Sequence, residues 1–96
     1  MSEVDLLHQN RAAILEIAAR HGASDVRIFG SFARGNPTQE SDVDFLVEMS
    51  PASSLLDQVA LIEDLRALLG RRVDVVTERA LNWLIRRRIL KEAIPL

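Results

Sequence analysis

Residues 41–47, Ser-Asp-Val-Asp-Phe-Leu-Val, constrain this chain more than any other stretch. Their β-branched and aromatic content predicts a strand over about residues 42–48, preceded by a loop carrying Gly35, Asn36 and Pro37. Side chains alternate along a strand. Asp42, Asp44 and Leu46 therefore share one face, and Val43, Phe45 and Val47 share the other. The two acids are separated by about 6.6 Å of strand rise, close enough for their carboxylates to lean onto a common ion. Without a cation they repel, and one of them has its pKa raised. A hard divalent ion such as Mg²⁺ suits such a pair, because it takes one or two carboxylates and completes its shell with phosphates. Taken alone, the pair also reads as a solvated strand start.

A second feature narrows the choice. Val26-Arg27-Ile28-Phe29 belongs to another predicted strand, over about residues 25–29, and Gly30-Ser31 follows it directly. Glycine there permits close backbone approach to a ligand, and serine adds a hydroxyl beside free amides, which together suit a phosphate. The first residues after Gly30 are expected to form a short helical turn that Gly35 breaks. Arg34 lies on that turn, either facing solvent or near the phosphates. A third acid, Asp74, stands in Arg72-Val73-Asp74-Val75-Val76, a predicted strand over about residues 72–76. An acid among valines needs a partner or an ion. From the residues alone, a structural ion pair with an arginine and a metal or base role are both open.

The rest of the chain supplies the covering layers. Ser2 and Asp5 have capping-box spacing, and Val4, Leu7, Ile14, Leu15 and Ala18 form an apolar stripe. His21-Gly22 is a stop signal, so one helix is predicted from about residue 3 to 20. Ser54 and Asp57 form a second capping box. It opens a helix striped by Leu55, Val59, Ile62, Leu65 and Leu69, read as core, and Gly70 closes it. The tail, residues 78–94, carries Leu81, Leu84, Ile85, Ile89 and Ala93 at helical spacing and ends at Pro95. Trp83, the only tryptophan, is expected in the core, with a partner-anchoring role as the rival reading. His8 and His21 lack companions at metal-ligand spacing and are read as structural. The resulting order of helix, strand, turn, strand, helix, strand and helix predicts an α/β domain: a small sheet of about three strands with helices packed on it.

A chain of 96 residues suffices for one small domain, residues 1–96, with a modest core that an added subunit would enlarge. The absence of cysteine excludes disulfides, thiolate zinc sites and a cysteine nucleophile. The net charge of −2 argues against direct, non-specific nucleic-acid binding. The local clusters Arg71-Arg72 and Arg86-Arg87-Arg88 are read first as solvated positions and second as a docking patch. No secretory signal or apolar run of membrane-spanning length is present, so a cytoplasmic protein without membrane contact is expected.

The combination of Gly30-Ser31, a spacer of about ten residues, Asp42-x-Asp44 in a hydrophobic strand and Asp74 on a later strand resembles the DNA polymerase β-type nucleotidyltransferase superfamily. The short chain, the Gly-Ser-Phe-Ala-Arg-Gly opening and the Val-Asp-Val-Val strand look most like its minimal nucleotidyltransferases, the MntA-type antitoxins. The resemblance covers nearly the whole chain. It implies a mixed sheet and an enzyme that moves AMP from ATP. It places the metal and catalytic ligands at Asp42, Asp44 and Asp74, rather than at neighbouring Glu40, with Mg²⁺ as the ion. It puts Gly30, Ser31 and Arg34 at the nucleotide. Asp74 is either a third metal ligand or the base for the attacking hydroxyl. The acceptor it implies is a tyrosine of a HEPN-domain ribonuclease toxin; the sequence leaves a homo- or hetero-oligomer open. The rival from another class is an antitoxin that neutralises by binding alone, its nucleotide site inactive or regulatory. Transfer to a small molecule such as an aminoglycoside is weaker, because the chain has little room for a substrate domain.

Overall fold

The structure is a computed structural model that describes residues 3–96; the cap expected at Ser2 lies outside these residues, as does the Val4 side chain. The predicted first helix is two helices, α1 (Glu3–Gln9) and α2 (Arg11–Arg20). The break is at Asn10, whose side-chain amide donates to the Leu6 carbonyl at 2.8 Å. That local bond competes with the helix ladder, as asparagine commonly does. Leu7, Ile14 and Ala18 are buried as expected, and Ile17 joins them. His21, after α2, bonds Asp64 at 2.6 Å and so ties two helices together.

β1 (Ala23–Phe29) leads through Gly30 into the four-residue turn α3 (Ser31–Arg34), which Gly35 ends in the left-handed conformation, as read from the sequence. β2 (Val43–Met49) pairs antiparallel with β1 and parallel with β3 (Val73–Thr77). Between β2 and β3 runs α4 (Leu55–Leu69), opened by the predicted Ser54–Asp57 capping box and closed by Gly70. A 3₁₀ turn (Glu78–Ala80), α5 (Trp83–Glu92) and a two-residue β4 (Ile94–Pro95) complete the chain. β4 is a strand beyond the three expected, and the mixed sheet has the order β3-β2-β1-β4.

Alternation along β2 accounts for the core. Val43, Phe45 and Val47 are almost fully buried and pack with Ile14, Ala18, Leu61, Leu65 and Leu69 from α2 and α4. Two apolar assignments and the extent of the tail helix need correction. On α4, Leu55 and Val59 are 74% and 47% exposed; of the predicted stripe only Leu65 and Leu69 are buried, with Ile62 packed against them, and Leu61, outside the stripe, joins the core. The tail helix, read over about residues 78–94, is confined to α5 (Trp83–Glu92), which follows the 3₁₀ turn and buries no residue. Trp83 is 74% exposed and not in the core. Helical spacing reports that a face is apolar but not that the face has a partner.

Candidate active site

Strand pairing brings the acids together. Asp44, on the inner strand β2, pairs across the antiparallel ladder with Phe29 and across the parallel ladder with Asp74. The end of β1 thus lies on one side of Asp44 and the third acid on the other. The sequence separation of 30 residues between Asp44 and Asp74 collapses to neighbouring strands, because α4 returns the chain in parallel register. Asp42 stands just before β2. It is exposed and bonds the Arg72 Nε at 2.9 Å.

Gly30 continues β1 past Phe29 and lies beneath the Asp44 carboxylate. Its φ of 75° and ψ of −154° fall in a region closed to other residues. A Cβ built there would come within 2.3 Å of Asp44 Oδ2. Glycine is therefore required twice, by backbone conformation and by the space the acid occupies. Ser31 begins α3, and Arg34 ends it with an exposed side chain. The buried ring of Phe32 fastens the turn to the core, and the Arg71 guanidinium lies 5.3 Å from that ring's centroid. Arg71 also donates to the Thr38 and Ser41 carbonyls, at 3.1 and 3.2 Å, bracing the loop that leads into Asp42. Arg71 and Arg72 are thus structural elements of this site, not merely solvated charges.

The site's electrostatics single out Asp44. Its pKa is pushed up to about 6, first by burial and then by the charges of Asp74, Asp42 and Glu92, with Arg34 pulling the other way. A carboxylate so placed gains from a cation. The three acids offer only hard oxygen donors, which suit Mg²⁺ in kind. Among the described residues, however, no three acidic or histidine side chains converge closely enough to enclose a metal ion. Asp42 faces Arg72 and would have to exchange it for the cation.

One participant was not legible in the sequence. Glu92, at the C-terminal end of α5, accepts the Gly30 amide hydrogen at 3.1 Å and pairs with the Arg34 guanidinium. Partial burial raises its pKa, but the Arg34 and Gly30 hydrogen bonds outweigh that and hold it below its ordinary value. No motif marks it, since 62 residues separate it from Gly30.

A cavity of about 740 Å³ lies at the other end of the sheet, lined by Arg27, Met49, Gln58, Glu78 and Arg86 among others. It includes none of the three acids. Arg27 pairs there with Asp25 and Glu78 at 3.3 and 3.6 Å. Among the described residues no helix is long and apolar enough to cross a membrane.

Comparison with known proteins identifies the fold and the family. The family model described as a nucleotidyltransferase domain matches residues 11–96. The chain is 40% identical over 79 residues to the protein adenylyltransferase MntA of Thermococcus cleftensis, covering 82% of this chain and 80% of that protein. It is also 40% identical over 88 residues to a relative from Methanocaldococcus jannaschii provisionally named a protein adenylyltransferase, with 92% and 95% covered. A solved structure provisionally described as a minimal nucleotidyltransferase superposes with a TM-score of 0.89 at 46% identity, covering 99% of this chain and 97% of that one. A toxin–antitoxin structure with AMP-PNP shares the fold at a TM-score of 0.77 and 19% identity, with 90% and 71% covered. The chain belongs to the nucleotidyltransferase domain family and is an enzyme of that kind.

Proposed function

We propose that the protein transfers AMP from ATP to a hydroxyl of a partner protein and acts as the antitoxin of a toxin–antitoxin pair whose toxin is a HEPN-domain ribonuclease. The observation that carries the site is the placement of Asp44, with Gly30 beneath its carboxylate and Asp74 in register on the next strand. The names of the relatives, protein adenylyltransferases, support the reaction class, and the toxin–antitoxin neighbours support the partner class.

In this reading the Gly30 amide, the Ser31 hydroxyl and the Arg34 guanidinium bind the phosphates. Asp42 and Asp44 would hold Mg²⁺, which would supply charge neutralisation for the phosphates and the leaving group. Asp74 is exposed and so accessible to an incoming hydroxyl. It takes the proton of that hydroxyl as the acceptor oxygen attacks the α-phosphorus. The bond between the α-phosphorus and the bridging oxygen breaks, and pyrophosphate leaves. The acceptor retains AMP, and a tyrosine of the toxin is the acceptor proposed. Cytoplasmic location follows from that partner.

The test is intact-mass spectrometry of the neighbouring gene product incubated with this protein, ATP and Mg²⁺, beside an Asp42→Ala/Asp44→Ala control. Gains on the partner in steps of one AMP, absent from the control, are expected. The second reading, neutralisation by binding alone, is favoured by the exposed apolar residues Trp83 and Leu84 of α5. A stable complex with no gain in mass, and equal neutralisation by the double variant, would establish that reading instead.

A further inference from the structure

We infer that Glu92 is a built-in competitor for the nucleotide: its carboxylate occupies the phosphate cradle formed by the Gly30 amide and Arg34, and must swing away for a triphosphate to enter. The inference rests on the proposed phosphate-binding role of the Gly30–Arg34 turn.

Three observations carry it. The first is chemical identity. A carboxylate with one oxygen on the Gly30 N–H and the other on the Arg34 guanidinium uses the two kinds of donor that a phosphate takes. A donor already engaged by Glu92 has to be released before it serves a phosphate. The second is the way Glu92 is held. Immediately after it the chain turns extended at Ala93 and joins the sheet, with Ile94 and Pro95 opposite Ile28 and Arg27. The Leu96 amide donates to the Val26 carbonyl at 3.1 Å, and the Leu96 carbonyl accepts from Arg11 Nε at 2.8 Å. The backbone around Glu92 is therefore anchored to β1, the strand that leads into Gly30. The side chain can leave the cradle by a change of rotamer, with no unfolding of α5.

The third observation is charge. Glu92 adds to the negative charge around Asp44, at a place where an anionic nucleotide has to bind. An acid retained there works against nucleotide binding unless it moves. Arg88, one turn earlier on α5, already acts on Glu92 through space and is the partner for the displaced carboxylate. The contact is partly exposed, with Arg34 at 54% and Glu92 at 21%. It is therefore a weak latch, of the size that a triphosphate with its metal ion readily displaces. A cradle blocked for nine-tenths of the time raises the apparent Kd about tenfold.

The test is calorimetric binding of AMP-PNP with Mg²⁺ to the wild-type protein, Glu92→Gln, Glu92→Asp and Asp42→Ala/Asp44→Ala, each checked for folding by thermal melting. Glu92→Gln removes the charge. Glu92→Asp keeps the charge but shortens the side chain so that it no longer spans both donors. Both are expected to tighten binding, by about three- to tenfold. If Glu92→Gln tightens binding and Glu92→Asp does not, the effect is general repulsion and the latch is wrong. If neither tightens it while the double aspartate variant loses binding, Glu92 is a structural tether and the nucleotide site stands without it. If the double aspartate variant binds as well as wild type, the site reading fails and the latch fails with it.

Discussion

β2 and α5 each bring a carboxylate to the candidate site, Asp44 and Glu92, and they are held in opposite ways. β2 is an inner strand of the sheet, with Val43, Phe45 and Val47 packed in the core with residues of α2 and α4. Asp44 is therefore mounted on the best-packed part of the molecule, as a site needs when geometry has to be kept to a fraction of an ångström. α5 buries no residue. Arg86 and Glu78 join its first half to the 3₁₀ turn at 3.1 Å, Glu92 joins its end to Gly30 and Arg34, and β4 fastens the chain beyond it. Exposed ion pairs contribute little stability and respond to salt. The chain thus pairs a fixed set of acids with a lightly held helix that brings one more carboxylate to the same place. Rigidity belongs to the groups expected to hold metal and transfer protons, and looseness to the group expected to give way.

The largest test of that contrast is Phe45→Ala. The ring is fully buried, and its loss should cost about 3–5 kcal/mol in denaturant unfolding, enough to threaten a domain of this size. A loss below about 1 kcal/mol would contradict the rigid platform. Gly30→Ala comes next. It combines an unfavourable φ with a clash against the Asp44 carboxylate, and about 1–3 kcal/mol is expected, together with weakened nucleotide binding.

Asp44→Asn tests the electrostatics. In the unfolded chain Asp44 titrates at its ordinary value, near 4, and in the folded protein near 6. The folded state holds the proton more tightly, so ionising Asp44 costs stability as pH rises through that window, and the cost is complete above it. Without divalent cations, Asp44→Asn should therefore be more stable than wild type above pH 6 and equal to it below about pH 4. Full burial would make the difference about 3 kcal/mol; partial exposure brings it to about 1 kcal/mol. A pH-independent difference in melting temperature would refute the assignment. Trp83→Ala should be the smallest effect, within about 0.5 kcal/mol by thermal melting, because the ring buries little against the chain. A larger loss would mean that α5 packs more firmly than its exposure indicates.

Much of the site was legible because its signals are local. Gly30-Ser31 after a strand and Asp42-Val43-Asp44 opening the next are short patterns, and the structure puts Gly30 beside Asp44 and Asp44 beside Asp74. The α4 capping box and the stops at Gly35 and Gly70 were also readable, since each is a hydrogen bond or a positive φ within a few residues. The failures share a cause. Leu55, Val59 and Trp83 are apolar at helical spacing, yet nothing in a periodicity states whether another element lies opposite. Asn10 broke a helix through a side-chain bond that competes with the ladder within one turn, a weak signal inside a long apolar stripe.

By itself the sequence determined the positions of the three main strands, the α4 capping box, the stops at Gly35 and Gly70, and which β2 residues face the core. All of these depend on backbone propensity and side-chain alternation over a few residues. Tertiary structure alone decided the order β3-β2-β1-β4, the parallel register that sets Asp74 beside Asp44, the turning of Asp42 toward Arg72, and the delivery of Glu92 to Gly30. Those contacts join residues about 30 to 60 positions apart. They exist because burying the apolar faces of α2, α4 and β2 in one core leaves the chain few ways to return, and the polar groups it brings with it must then find partners where they land.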